Sequence, residues 1–340
     1  MSHEANRRLL DAYHNALYDY SPADLAAAID QDFAPDASVH LCHPLGDLER
    51  PADLLAVYAD LAAAMPDLER RETIRIAGDT FEDGNWIGAC GYYTGVMTAP
   101  WLDIPPTGHQ VAMRFHEFYK VIDHQIVEMQ AIWDIPELMM QCNAWPMAPQ
   151  LGRFWQVPGP ATQDGVQQGE RNLARSESAL NLVETMLSNL LRFATEGVEG
   201  MRLSESWHPK MNWYGPAGIG TNRGIQGFRH WHQKPFLKAF PNRMGTGGKG
   251  ILFADNDYVG VTGWPNMKMI LSGDGFLGLV PGNQEITMRS LDFWRCENGL
   301  IRENWVTVDI LHVFDQLGVD VFERMREMTP TPIDRGRLPG

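Results

Sequence analysis

The sequence is poor in what several function classes require. It holds four cysteines, Cys42, Cys90, Cys142 and Cys296, and no pair has C-x-x-C spacing. A disulfide framework or zinc knuckle is therefore not expected, and the four read as free thiols in a reducing compartment. Basic residues are outnumbered: 28 Lys and Arg stand against 43 Asp and Glu, a formal net charge of −15. Nucleic acid and anionic membranes need a basic face, so neither is an expected partner. No run approaches the ~18 apolar residues of a membrane span. The first 20 residues are polar and amphipathic, without the apolar centre of a secretion signal, which makes the cytoplasm the default location. Gly-x-Gly sequences such as Gly245-Thr246-Gly247-Gly248 lack the strand-then-helix context of a dinucleotide site and read as loop.

What is present is an internal duplication. The stretch Ile301-Arg302-Glu303-Asn304-Trp305-Val306-Thr307-Val308-Asp309, running on to Gln316, has an earlier copy in Ile126-Val127-Glu128-Met129-Gln130-Ala131-Ile132-Trp133-Asp134, running on to Gln141. Ile, Glu, Asp and Gln recur at a constant offset of 175 residues. Met113-Arg114 with Phe118 matches Met288-Arg289 with Phe293 at the same offset, and Met65-Pro66-Asp67 matches Phe240-Pro241-Asn242. His43-Pro44-Leu45-Gly46 lies where Tyr214-Gly215-Pro216-Ala217-Gly218 lies, with the prolines 172 residues apart. Two copies of so long a period mean two copies of a whole domain, not a solenoid. A chain of 340 residues with 44% hydrophobic content accommodates that.

Hydrophobic periodicity gives each copy one order. In the first, residues 5–31 read as helix with a break at Ser21-Pro22, 39–42 as a short strand and 52–64 as helix stopped at Met65-Pro66. Strands follow at 73–76, 86–93, 111–121 and 126–133, and a closing helix runs from Asp134 to Cys142. In the second copy the helices are 176–193 and 224–240, the strands 211–214, 258–264, 267–271, 285–297 and 301–308, and the closing helix 309–317. The expected division is a first domain over 1–145, a Pro/Gly-rich linker over 146–175, a second domain over 176–325 and a tail over 326–340. Phe154 and Trp155 suggest that part of the linker packs on a domain.

This order and these phrases resemble the SnoaL-like polyketide cyclase family, within the nuclear-transport-factor-2-like superfamily. The features that carry the resemblance are the His/Tyr-x-Pro-x-Gly turn, the Phe/Met-Pro-Asp/Asn helix stop, Pro105-Pro106-Thr107-Gly108 before the long strand, and the closing Ile-x-Glu-x-Trp-x-x-x-Asp with Gln316-Leu317-Gly318. The resemblance implies an α+β fold of two tandem cone-shaped barrels, each a curved antiparallel sheet around a long helix enclosing a pocket. It implies sheet-mediated pairing of the two copies within the chain, an intramolecular pseudo-dimer, with a further homodimer open. It implies a small-molecule substrate and aldol-type chemistry without a cofactor, in which a carboxylate removes a proton next to a carbonyl. The family's acid/base Asp aligns with Ala131 and Val306, and its histidine with Glu117 and Asp292, so neither copy keeps the cyclase pair.

Glu117 and Asp292 are the leading catalytic candidates. Strand alternation puts Glu117 with Met113, Phe115 and Tyr119, and Asp292 with Met288, Ser290 and Trp294. If those faces line the cones, burial raises the carboxyl pKa toward general-base range. Asp134 and Asp309 sit at helix N-caps, which suffices to explain them, though a catalytic role stays open. Arg114 and Arg289 fall on the opposite strand face, as sheet contacts. His43 is a further catalytic candidate, able to polarise a carbonyl or shuttle a proton, and His40 is a substrate-binding one. Trp213 and Tyr214 are their expected counterparts in the second copy. Tyr119, Trp133, Trp213, Tyr214 and Trp294 are candidate binding residues, with Trp264 and Trp305 as further aromatic walls or core. No metal site is expected: His230 and His232 point to different helix faces and lack a third ligand. Three functions fit: a cyclase-, isomerase- or dehydratase-type enzyme, a binding protein for a hydrophobic or cyclic metabolite, or a division of labour between one catalytic and one structural copy.

Overall fold

A computed structural model describes residues 3–80, 84–246 and 251–328 of the chain. The expected N-terminal helix is broken into three, His3–Arg8, Asp11–Tyr18 and Pro22–Asp32. Leu10, Tyr13 and Leu17 form its fully buried stripe. The third helix starts where Ser21 Oγ accepts from Asp24 N and Pro22 occupies the first turn, a position that needs no N–H.

The first unit's strands are β1 (Phe33–Leu41), β2 (Asp47–Leu48), β3 (Glu69–Thr80), β4 (Gly84–Val96), β5 (Gln110–Ile122) and β6 (Gln125–Trp133). The second unit's are β7 (Trp207–Tyr214), β8 (Thr221–Arg223), β9 (Met244–Gly245), β10 (Ile251–Asp255), β11 (Tyr258–Ile270), β12 (Glu285–Glu297) and β13 (Leu300–Val308). The first sheet runs β2-β1-β6-β5-β4-β3 and the second β8-β7-β13-β12-β11-β10, with β9 also on β11. The order is the same in both. Each sheet is mixed, because β1 runs parallel to β6 and β7 parallel to β13. The fold is α+β, with helix Leu54–Ala64 in the first unit and the helical run 224–239 in the second at matching places in the order.

Both faces of β5 are buried, which explains its near-continuous apolar run. One face carries Phe115, Glu117 and Tyr119 into the first unit. The other carries Arg114, His116 and Phe118 against the second sheet. Phe118 stacks on Phe293 with centroids 5.0 Å apart, and His116 Nδ1 donates to Leu291 O at 2.7 Å. Gly88 makes room for this packing: a Cβ there would come within 2.9 Å of the Phe293 ring. Asp255 of the second unit accepts from Arg7 Nη1 (2.5 Å) and Ala77 N (2.9 Å) of the first.

Residues 146–172 form no helix or strand, and the next helix begins at Leu173. The segment is nonetheless fastened. Val166 bridges Arg75 on β3 and Arg153 bridges Thr221 on β8, the outermost strand on one side of each sheet. Its Val157 and Pro158 carbonyls accept from Tyr92 OH and Trp305 Nε1, both at 2.9 Å. The expected tail is helical where it is described: helix Val321–Met328 runs through its first residues, and Arg326 pairs with Asp103 of the first unit at 2.9 Å. Its remainder, and Gly247 and Gly248 of the expected loop, lie outside the described residues. No described helix is long and apolar enough to cross a membrane.

Candidate functional site

Glu117 lies in mid-β5 with no exposed surface, and every direction around its carboxylate is occupied. Oε2 accepts from Arg70 Nη2 at 2.7 Å and Tyr119 OH at 2.6 Å. Oε1 accepts from Tyr93 OH at 2.7 Å and Trp133 Nε1 at 3.0 Å. Two carboxylate oxygens offer about four lone-pair sites, and four donors fill them. Behind Tyr93 the chain continues: its oxygen lies 2.8 Å from Tyr58 OH, and that oxygen 2.7 Å from Tyr13 OH. Tyr93 spends its proton on Glu117, so Tyr58 donates to Tyr93 and Tyr13 to Tyr58. Arg70, also fully buried, bonds Glu72 as well and lies 4.2 Å over the Phe115 ring. The partner of Glu117 is thus Arg70 from β3, not the neighbouring Arg114.

Asp292 occupies the same place in the second sheet, and its surroundings are stripped. Sheet register makes the comparison residue by residue. In the first unit Arg70 pairs with Tyr93 and Tyr93 with Met113; in the second, Gly245 pairs with Met267 and Met267 with Met288. Phe115 pairs with Trp133, and Ser290 with Val308. The four donors Arg70, Tyr93, Tyr119 and Trp133 are therefore replaced by Gly245, Met267, Trp294 and Val308. Only Trp294 keeps an N–H. Asp292 Oδ1 and Trp294 Nε1 are both buried with no hydrogen-bond partner among the described residues. Burial alone pushes the Asp292 carboxyl well above the usual range, although by surface area the residue is only partly buried. Its row neighbours across the sheet are Val261 and Val306. Farther along the same face, Asn266 Nδ2 donates to Ser290 Oγ at 2.5 Å, and Asn266 Oδ1 is left unpartnered.

The remaining candidates divide by strand parity. Tyr119, Trp133, Trp213 and Trp294 are on the inner faces. Trp213 shares a row with Asn304 and Trp294, and the His232 ring stacks on it at 4.1 Å and 12°. Tyr214 points the other way: its OH donates to Glu303 Oε1 at 3.1 Å and its ring packs on Trp305. Tyr214 is thus withdrawn from the second interior, since adjacent strand residues face opposite sides. The counterparts expected from the sequence also shift. His40 pairs with Gln130 as Tyr214 pairs with Trp305, so Tyr214 answers to His40, and Trp213 answers to Val39. His40 Nδ1 bonds Asp47 at 2.8 Å, with its ring near Trp264 of the second unit.

Asp134, Asp309 and His43 sit between the units. Asp134 caps helix Ile135–Gln141, accepts from Arg114 Nη2 at 3.0 Å and takes Ala217 N of the second unit at 2.9 Å. Asp309 caps helix Ile310–Gln316 and takes His43 N of the first unit at 3.1 Å. Each cap thus holds the Pro-containing turn of the other unit. Arg114 adds bonds to Tyr214 O (3.1 Å) and Gly215 O (2.7 Å), while Arg289 lies 4.6 Å over the Trp264 ring. Burial raises Asp309 to about 6, against the opposing pull of these donors. Burial and the neighbouring Asp134 raise Glu137. The His43 ring, its pKa lowered by burial, faces Asp315, Asp320 and Arg289 rather than Glu117.

Sequence reasoning missed Arg70, Tyr58 and Tyr93 in the first unit, and Asn266, His232 and Gln233 in the second. Arg70 and Tyr93 lie one strand or more from Glu117, and only register brings them there. The signal that was available is the loss of Arg70 and Tyr93 at the equivalent positions of the second copy. Among the described residues no group of three His, Cys, Asp or Glu is placed to hold a metal ion.

The model of the SnoaL-like polyketide cyclase family matches residues 7–142. None of the curated proteins matches the chain. Among solved structures, a candidate SnoaL-like polyketide cyclase from Jannaschia Sp. CCS1 is similar at 19% identity and a TM-score of 0.34, covering 41% of this chain and 91% of its own. IdmH, a candidate polyketide cyclase from Streptomyces antibioticus, is similar at 22% identity and 0.34, covering 42% and 99%. TsrD from Streptomyces laurentii is similar at 20% and 0.33, covering 41% and 97%.

Proposed function

We propose, from the match of residues 7–142 to the SnoaL-like polyketide cyclase family, that the chain is a cofactor-independent cyclase- or isomerase-type enzyme whose working carboxylate is Asp292, in the second unit. The observation that carries this reading is the contrast between Glu117, saturated by four donors, and Asp292, which has a buried oxygen free. A saturated carboxylate has no lone pair left for a carbon-bound proton. An unpaired one has, and the burial that raises its pKa makes its anion a stronger base.

In the proposed step Asp292 removes a proton from the carbon next to a carbonyl. The electron pair moves onto the carbonyl oxygen, where the unpaired indole N–H of Trp294 donates to it. The enolate then attacks a second carbonyl, closing a ring, or is reprotonated at another carbon, completing an isomerisation. The first unit serves as an intramolecular partner: Glu117 anchors its interior, and the crossed caps of Asp134 and Asp309 hold the two units as a pseudo-dimer. Free buried thiols suit a reducing, cytoplasmic setting.

The test is solvent deuterium exchange at the carbon next to the carbonyl, followed by NMR over a panel of ketones and β-keto esters. Wild type and Glu117→Gln are expected to exchange at least one panel member, with Asp292→Asn slower by about 10²-fold or more, the range for losing a general base. Ligands that bind by thermal shift, exchange with no compound-specific acceleration and ignore Asp292→Asn would make the chain a binding protein. The apolar row Val261–Asp292–Val306 is the feature that favours that second reading.

A further inference from the structure

The helix that covers the concave face is regular in the first unit, Leu54–Ala64, but not in the second. There it is interrupted by one turn of π-helix, Arg229–Gln233. Counting back from the shared proline stop (Pro66 and Pro241), Ala64 answers to Ala239, Leu61 to Phe236 and Tyr58 to Gln233, all six buried. One turn earlier the correspondence slips by a residue. Leu54 is buried, but its partner by count, Arg229, is not, and Phe228 is buried instead. That slip is what a π-turn does, and such turns gather at functional sites.

The turn brings polar groups to the second interior and leaves them without partners. Gln233 is 4% exposed and takes the place of Tyr58, the middle member of the hydroxyl chain that ends on Glu117. Its Oε1 is buried and unbonded, as is Nδ1 of His232. The His232 ring lies face to face with Trp213, which is in the inner row with Asn304 and Trp294. Two strand spacings separate Trp213 from Trp294, roughly 10 Å. On one side are a free carboxylate oxygen and a free indole N–H; on the other are a free amide oxygen and a free imidazole nitrogen.

We propose that the π-turn is the second polar wall of this interior, and that Gln233 Oε1 and His232 Nδ1 orient a hydroxyl of a ligand whose carbonyl meets Trp294. The ligand class is a hydroxylated carbonyl compound of about two fused rings, long enough to reach both walls. This rests on the second unit holding the working site. His232 and Gln233 are positioning residues, since neither is placed on the reacting carbon.

The matched probes are 6-hydroxy-1-tetralone, whose hydroxyl lies across the ring system from its carbonyl, and 1-tetralone, which lacks only that hydroxyl, with affinities measured by calorimetry on the full chain. Wild type is expected to favour the hydroxylated probe by about tenfold, the worth of one well-made hydrogen bond. Gln233→Leu and His232→Phe, the latter keeping a ring on Trp213, are expected to bring the ratio to near one. Their melting temperatures should hold or rise, because a buried polar atom with no partner is being removed. Asp292→Asn should keep the ratio. Equal affinity of wild type for both probes, or binding of neither, overturns the proposal. So does a ratio unmoved by both variants, or a fall in melting temperature of the size of a core truncation in both, which would make the two side chains structural. Loss of exchange in Asp292→Asn with the ratio unmoved by the π-turn variants sinks this inference and leaves the proposed function standing. A preserved preference without any exchange does the reverse.

Discussion

The two interiors share a sheet order and a carboxylate at one register position, and they use it oppositely. In the first, strands β4 and β5 are buried almost end to end and the carboxylate is the hub of a closed network. In the second, the flanking strand β11 is half-buried over much of its length, and the carboxylate has lost three of four donor positions to Gly245, Met267 and Val308. A buried charge is tolerated when it is fully paired; the same charge unpaired costs stability and gains reactivity. Duplication permits that split, because the first unit can carry stability while the second carries an uncompensated group.

The contrast breaks most plainly in stability. Glu117→Ala strands Arg70, two tyrosine hydroxyls and an indole N–H in the core, and is expected to cost at least about 4 kcal/mol in urea unfolding. Asp292→Asn is expected to be neutral or to stabilise by roughly 1 kcal/mol, because it removes the cost of holding a partnerless carboxyl protonated in the folded state. Equal losses in both variants would mean that the two interiors are not different in kind. The crossed caps come next. Asp134→Ala removes a helix cap, the partner of buried Arg114 and the tie to Ala217, for an expected loss of about 3 kcal/mol. A loss under ~1 kcal/mol would show that the tie between units is carried elsewhere.

A pH dependence sharpens the comparison further. Folding raises Asp309 from the ordinary 3.8 to about 6, so the folded state holds this proton more tightly than the unfolded one. Its contribution is present below about pH 4 and is lost as pH rises through about 6. That rise corresponds to roughly 3 kcal/mol at most. Asp309→Asn keeps an acceptor for His43 N and His312 N without the ionisation. Relative to wild type it should therefore gain stability between pH 4 and 7, measured as the difference between unfolding midpoints. A difference that stays flat over that range would refute the burial of this carboxyl.

Much of the fold was legible in the chain. The constant offset, the proline stops and the alternation of β5 and β12 announced two α+β units of one order, and strand parity alone separated Glu117 and Asp292 from Arg114 and Arg289. The helix caps at Asp134 and Asp309 were also readable, since capping is local. What was not readable was anything that depends on neighbours across strands. Tyr214 was expected in the pocket and points away from the second interior, because pairing with Trp305 places it in the row of Phe293, on the face opposite Asp292. Arg70 and Tyr93 were invisible as partners of Glu117 because only strand pairing brings them there, and the inward turn of Gln233 was invisible because a π-turn shifts a helix face by one position without marking the sequence.

The sequence by itself determined that the domain occurs twice, which faces its strands present, and that a carboxylate stands mid-strand in each copy. Those are properties of periodicity and spacing, which the chain carries locally. Only the tertiary structure decided that one carboxylate is sealed by four donors and the other left open. Satisfaction of a buried charge depends on which side chains arrive from strands and helices distant in sequence, and register, not composition, sets that.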